Sequence, residues 1–244
     1  MNSSEQFAGG MKKGLVVALS SAPFGILFGA IAVDNGFSLT EAALMSALVY
    51  GGASQLVGIE LFGHHVAAWV IVLSVLAVNF RHVLYSAALA PVIGRFPLLK
   101  RLLAFFLLVD PQFAETLKRN DAGKTVTFSW YLGMGSVIWV FWIVSTILGA
   151  FFGRMIGDPK AIGIDVLLPI YFLGLVMGFR DRHNFFPVML AGAIGSVVSY
   201  DLVGSPWHIS IGAALGILIA AILPPPPKKD TAVPSAAALE KEGV

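Results

Sequence analysis

Tyr50-Gly51-Gly52-Ala53-Ser54-Gln55 interrupts an apolar run, Ala42 to Phe62, that is otherwise suited to a membrane helix. Paired glycines loosen a helix by about 1 kcal/mol each relative to alanine. Ser54 and Gln55 add polar groups that hydrocarbon cannot satisfy. Broken backbone at membrane depth is tolerated where it is buried in protein or lines a wet cavity, and interrupted helices of this kind form substrate sites in many secondary transporters. The alternative is a packing site, small residues letting two helices touch.

The whole composition agrees with a membrane setting. Of 244 residues, 57% are hydrophobic and only 12% charged, where a soluble domain carries about 25% charge; mean hydropathy is +0.83. The fold class is an all-α polytopic membrane protein. A net charge of +2 gives no argument for a nucleic-acid partner, and the lack of cysteine excludes disulfides and thiolate metal sites. Lys12 and Lys13 precede the first apolar run like the start of a signal peptide. That run is long and no small-residue cleavage site follows, so it reads as an uncleaved first helix.

Segments near the ~20 residues needed to span are Gly14–Val33, Val66–Ala90, Trp130–Phe152, Gly163–Phe179, Phe185–Tyr200 and Pro206–Leu223. Two more are interrupted. Leu39–Phe62 opens with a Ser38/Glu41 capping box and meets the glycine pair. Leu98–Arg119 breaks at Asp110-Pro111, where Asp110 reads as an N-cap and Pro111 as the first helical residue. Beyond it, Glu115 and Arg119 are spaced i, i+4.

Each interrupted segment either crosses or re-enters. With the N-terminus inside and both segments re-entrant, 13 of the 16 Lys and Arg residues lie inside, two outside, and Arg81 within the membrane. If both cross, Arg95, Lys100 and Arg101 move out and the ratio becomes 10 to 5. The positive-inside rule therefore favours six spans plus two re-entrant segments over eight spans, with both termini cytoplasmic. Residues 1–12 read as a tail, 13–223 as the transmembrane unit, and 224–244 as a Pro-rich, disordered cytoplasmic tail. The small-xxx-small pairs Gly25/Gly29, Gly149/Gly153, Gly174/Gly178 and Gly212/Gly216 predict close helix packing.

The densest polar cluster in an apolar segment is Val78-Asn79-Phe80-Arg81-His82-Val83-Leu84-Tyr85. At 100° per residue Asn79, His82 and Ser86 share one helix face, and Arg81 and Tyr85 the adjacent one. Ionisable groups in spanning helices usually face a cavity or the bundle interior; alternatively Arg81 snorkels to phosphates, and Asn79 and His82 only bond neighbouring helices. Asp165 reads as a helix-terminal residue, and His64, His65, Asp201 and His208 as solvated residues near turns. Gly123-Lys124-Thr125 resembles the end of a phosphate loop, but the leading glycine position is Lys118. No metalloprotease, serine-hydrolase or Cys/His metal spacing occurs, so neither enzyme activity nor a cofactor or metal is expected.

Phe24-Gly25…Phe28-Gly29-Ala30, then Ser46…Tyr50-Gly51-Gly52-Ala53-Ser54-Gln55, then Asn79-Phe80-Arg81-His82-Val83-Leu84-Tyr85 resemble the AzlC/BrnF family, the large subunit of branched-chain amino-acid exporters. Asp110 and Asp165…Leu168-Pro169 resemble its later signposts, and the likeness covers about Lys13 to Leu223. Pro111 departs from it, since relatives often carry an acidic residue there. The resemblance implies a secondary exporter in a bacterial inner membrane, working with a small four-span AzlD-type subunit. It also implies leucine, isoleucine, valine or similar solutes as substrates.

On this reading Tyr50, Gly51, Gly52, Ala53, Ser54, Gln55, Asn79, Arg81 and Tyr85 bind substrate, and His82 or Asp110 carries a coupling proton. The substrate carboxylate would sit on the backbone N–H groups of Gly51–Gln55 or on Arg81. A passive channel built from two re-entrant half-helices is the competing expectation, with an intramembrane enzyme third. Homo-oligomerisation is left open.

Overall fold

A computed structural model describes residues 2–63, 66–156, 166, 170, 173–174, 176–204 and 207–224. Among the described residues the regular elements are α-helices: α1 (Ser3–Asp34), α2 (Leu39–Leu48), α3 (Gly52–Gly63), α4 (Ala68–Asn79), α5 (Arg81–Ile93), α6 (Leu98–Phe106), α7 (Asp110–Asp121), α8 (Phe128–Ile156), α9 (Phe185–Val203) and α10 (Trp207–Ile222). Among the described residues, four stretches are long and apolar enough to span: Ser3–Asp34, Ala68–Ile93, Phe128–Phe152 and Phe185–Val203. The fold is an all-α polytopic membrane protein. The expected Gly163–Phe179 span, with Asp165, Leu168 and Pro169, falls largely outside the described residues, as do His64, His65 and the tail beyond Pro224.

Residues 1–12, set apart as a tail by their polarity, belong almost entirely to α1. Asn2 and Glu5 form a capping box that starts the helix there. Helices α1 and α8 then lie side by side and run parallel. Phe7 meets Gly133, Gly10 meets Trp130, Gly25 meets Ser145, and Gly29 meets Thr146 and Ala150. A Cβ on Gly14 would stand 2.6 Å from the Met134 carbonyl oxygen, so the missing side chain lets the backbones touch. Gly10 and Gly14 extend the small-residue seam one step beyond the expected Gly25/Gly29 pair.

The register of α1 on α8 defines two ends of the bundle. The first end carries the start of both helices, and the second carries Asp34 and the end of α8. Helix α2 leaves from the second end, capped by Ser38 and Glu41 as expected. Helix α3 comes back to that end. Gln55 bonds Ser46, Gly58 packs on Met45, and Ala42 and Ile59 share a buried cluster with Phe28 and Ala32. The rings of Phe37 and Phe62 meet edge to face at 4.8 Å. Partners thus advance on α2 as they recede on α3, and Leu39–Phe62 is a helical hairpin that returns to the end it left.

Helices α6 and α7 make a second hairpin from the first end. Going in, Phe96 packs on Phe128 at 5.6 Å between ring centres, Lys100 lies over the same ring, and Phe106 reaches Trp139. Coming out, Gln112 donates to the Tyr131 carbonyl at 2.9 Å, and Arg119 covers Trp130. Lys13 pairs with Glu115 at 2.8 Å. Glu115 and Arg119 therefore serve α1 and α8 rather than each other.

The expected single span Val66–Ala90 is broken at Phe80. The His82 ring takes the Asn79 carbonyl, 3.2 Å from Nδ1, which a regular helix would give to Val83. The Val83 N–H turns instead to Phe80 O at 3.0 Å, and Phe80 N–H to Ala77 O at 3.3 Å. Side-chain competition for a backbone carbonyl has tightened one turn to 3₁₀ geometry. Ser210 of α10 adds a bond to Ala77 O at 3.2 Å.

Helices α9 and α10 form a pair of their own, with Gly212 packed on Ser196. His208, expected to be solvated, stacks edge-on to Tyr200 at 5.1 Å with its Nδ1 buried. Phe179 and Arg182, ahead of α9, return to the first end, where Arg182 pairs with Asp121 and Lys118 lies over the Phe179 ring.

Candidate functional site

The three breaks, at Val49–Gly51, Phe80 and Leu107–Val109, meet at one level of the bundle. Tyr50 at the tip of the first hairpin has φ of +44°, a left-handed conformation that costs a bulky residue about 1–2 kcal/mol. It is nonetheless only 5% exposed, held among Leu107, Leu108, Val109 and Ile138. Such local strain persists where the surroundings over-determine it.

Ser54 and Gln55 do for this break what a helix would have done. Ser54 Oγ donates to Gly51 O at 2.7 Å. Gln55, fully buried, accepts from the Gly51 N–H at 3.3 Å and from Trp142 Nε1 at 3.1 Å, and donates to Ser46 Oγ at 3.1 Å. Ser46 meets Thr146 Oγ1 at 2.7 Å, and Thr146 donates to Trp142 O at 3.0 Å. The ring of bonds closes on Trp142. Gln55 therefore fastens the hairpin tip to α8. Trp142 fits because Gly52 has no side chain; a Cβ there would stand 2.9 Å from the indole.

Asp110 departs from the expected cap. It is the first residue of α7, the preceding cap position is Val109, and no side chain caps the helix. Its carboxylate points to the broken span instead: Tyr85 OH donates to Oδ1 at 2.7 Å, and Arg81 Nη1 lies 3.1 Å from the same oxygen. Asp110 is free for this because the cap position is Val109, whose carbonyl accepts the Phe113 N–H at 2.8 Å, leaving Asp110 inside the first turn.

Arg81 does not snorkel. Its side chain is 18% exposed and that of Asp110 14%, and the pair lies where the breaks meet. Nη1 is spent on Asp110, while Nε and Nη2 are buried with no hydrogen-bond partner among the described residues. Those two nitrogens form one edge of the guanidinium, the parallel pair of donors that grips a carboxylate side-on.

A small cavity of about 50 Å³ reaches Asp110, lined by Ser21 and Phe24 of α1, Tyr50, Gly52 and Ala53 of the first tip, Val109, Asp110 and Pro111 of the second, and Ile138 and Trp142 of α8. At roughly 10–15 Å³ per water it admits a few waters.

The structure thus brings Tyr50, Gly52, Ala53 and Asp110 to one cavity and Arg81 and Tyr85 to Asp110. Asn79 lies beside Gly51. His82 bonds back to Asn79 and meets the Tyr85 ring at 5.7 Å. Sequence reasoning missed Trp142 and Thr146, whose signal was a Ser-Thr pair one turn after a tryptophan in an apolar span. No three of His, Cys, Asp and Glu lie together as metal ligands among the described residues.

The profile of the AzlC protein family matches residues 16–156. The chain belongs to the AzlC family. All three breaks and the Arg81–Asp110 pair fall inside the matched region. Relatives of this AzlC member extend further. It is 30% identical to the inner membrane protein YgaZ of Escherichia coli K12, over 90% of this chain and 91% of that one. It is 26% identical to an uncharacterized membrane protein of Archaeoglobus fulgidus, over 91% and 94%. A Helicobacter pylori membrane protein is also 26% identical, over 80% and 84%. No solved structure matches.

Proposed function

We propose that this chain is the large subunit of a secondary exporter of branched-chain or similar small apolar amino acids. The observation that carries the reading is the buried Arg81 guanidinium, with one arm on Asp110 and the two nitrogens of its carboxylate-gripping edge unpaired among the described residues. A substrate carboxylate takes that edge at the meeting point of the hairpin tips. Asp110 is the coupling group: protonation removes its charge and frees Nη1, which links proton binding to the affinity of Arg81 for an anion. His82, bonded to the Asn79 carbonyl, sets the shape of the break. An amino acid is larger than the present cavity, so it enters when the tips part, and each tip meets the site from its own end of the bundle. A four-span AzlD-type subunit completes the exporter, and the basic first end faces the bacterial cytoplasm.

Two hairpins meeting tip to tip also suit a passive channel. Counterflow separates the two. Proteoliposomes loaded with unlabelled leucine should transiently accumulate labelled leucine against its gradient if the protein is a carrier. Unsaturable flux without counterflow is the channel result and would displace the exporter.

A further inference from the structure

Helix α7 is a rigid piece of 12 residues between two turns. Leu107–Val109 precede it, and after Asp121 the chain turns at Gly123, whose φ is +68° with nothing within 4 Å of its Cβ position. At 100° per residue Asp110, Phe113 and Asp121 share one face. Asp110 meets Tyr85 and Arg81. One turn on, the Phe113 ring stacks on Tyr85 at 4.3 Å and reaches Phe179 at 6.5 Å. At the end of the helix Asp121 pairs with Arg182. Phe113 and Phe179 thus stand between the Arg81–Asp110 pair and the first end. Gln112 and Thr116 share another face and are fully buried, yet Gln112 Oε1 and Thr116 Oγ1 have no hydrogen-bond partner among the described residues.

We propose that α7 is a gate: it swings about its two flanking turns, lifts Phe113 away from Tyr85, and opens the Arg81–Asp110 pair to the first end. The proposal rests on the reading of that pair as the solute site, while the movement itself is independent of the solute. Buried polar atoms normally have partners, and the two orphaned oxygens gain water when their face separates. The shut position is held by Gln112 Nε2 on the Tyr131 carbonyl, by the Phe113 stack and by two ion pairs at the rim. Lys13–Glu115 ties α7 to α1, with side chains 42% and 18% exposed, and Arg182–Asp121 ties it to the segment before α9, at 49% and 48%. Pairs this open to water are cheap to break. The α1–α8 seam, by contrast, packs backbone on backbone at Gly10, Gly14 and Gly29 and forms the fixed frame. A few residues flanking a rigid element suffice for such a hinge.

The chain has no cysteine of its own, so single reporters read the movement. Thr116→Cys places one on the buried face of α7, and Ile59→Cys places one in the buried cluster at the second end. The rate of reaction with a water-soluble methanethiosulfonate reagent is measured on the purified full chain. With Lys13→Gln and Arg182→Gln added, the rate at position 116 should rise by about three- to tenfold, the effect of losing two partly exposed ion pairs. The rate at position 59 should stay as it was. Arg182→Asp alone should also speed position 116, and adding Asp121→Arg should slow it again, because the exchanged pair closes the same latch. An unchanged rate at 116 without the two pairs would overturn the gate. An equal rise at 59 would overturn it too, since the whole fold would then have loosened. Leucine counterflow plays no part in these rates, so the gate and the exporter reading fail separately.

Discussion

Trp142 Nε1 donates to Gln55 Oε1 at 3.1 Å, so an indole on a spanning helix holds the first turn of the returning arm of a hairpin. Gln55→Leu strips that partner from two buried donors, Trp142 Nε1 and the Gly51 N–H. Each unsatisfied donor costs about 1–3 kcal/mol. The variant should therefore melt well below the wild type in detergent. Trp142→Phe should cost less, and the double variant less than the sum of the two.

That outcome marks a limit of sequence reading at this site. The break at Gly51-Gly52 was legible because glycine pairs and buried polar groups are anomalous in an apolar run. What Gln55 does there was not legible, because its partners, Ser46 and Trp142, lie 9 and 87 positions away. The break at Phe80 was hidden for a similar reason: no glycine or proline marks it, only the reach of His82 to a backbone carbonyl. Asp110 read as a cap because Asp-Pro has that local form, while its destination, Arg81, is a long-range contact. The second hairpin was legible from charge, since Arg95, Lys100 and Arg101 before its break and Lys118, Arg119 and Lys124 after it favour a chain that turns back; no Lys or Arg flanks the first, which shows only in its contacts.

The hairpins make a direct topological prediction in this cysteine-free chain. Cysteines replacing Phe37 and Phe62, whose rings are 4.8 Å apart, should join with a short bifunctional reagent. Single cysteines at Lys100 and Lys118 should be labelled from one and the same side of the membrane. Labelling of these two positions from opposite sides would restore eight spans.

The α1–α8 seam sets a packing prediction. Gly14→Leu forces side-chain atoms into the Met134 backbone, since even a Cβ would stand 2.6 Å from its carbonyl oxygen. Gly36, with φ of +88° and nothing within 4 Å of its Cβ position, should lose about 1–2 kcal/mol on change to alanine, from backbone strain alone. Size-exclusion profiles should show the first variant aggregated and the second intact.

Arg81 and Asp110 should be coupled in stability. Removing one partner of a fully buried pair costs about 3–5 kcal/mol; with the present partial exposure about 2–3 kcal/mol is expected for Asp110→Leu. The Arg81→Leu/Asp110→Leu double variant should recover part of that loss. Simple addition of the two single effects in denaturation curves would show that the pair is not coupled.

The central claim is that the unpaired edge of Arg81 holds the substrate carboxylate, and Arg81→Lys tests it most directly. Lysine keeps the charge facing Asp110 but offers no parallel pair of donors. Initial rates of leucine export should be measured with wild type and variant at equal membrane abundance. The account predicts a loss of at least about tenfold for the lysine variant, the cost of roughly one charge-assisted hydrogen bond. A wild-type rate in Arg81→Lys would contradict it and leave Arg81 as the counter-charge of Asp110 alone.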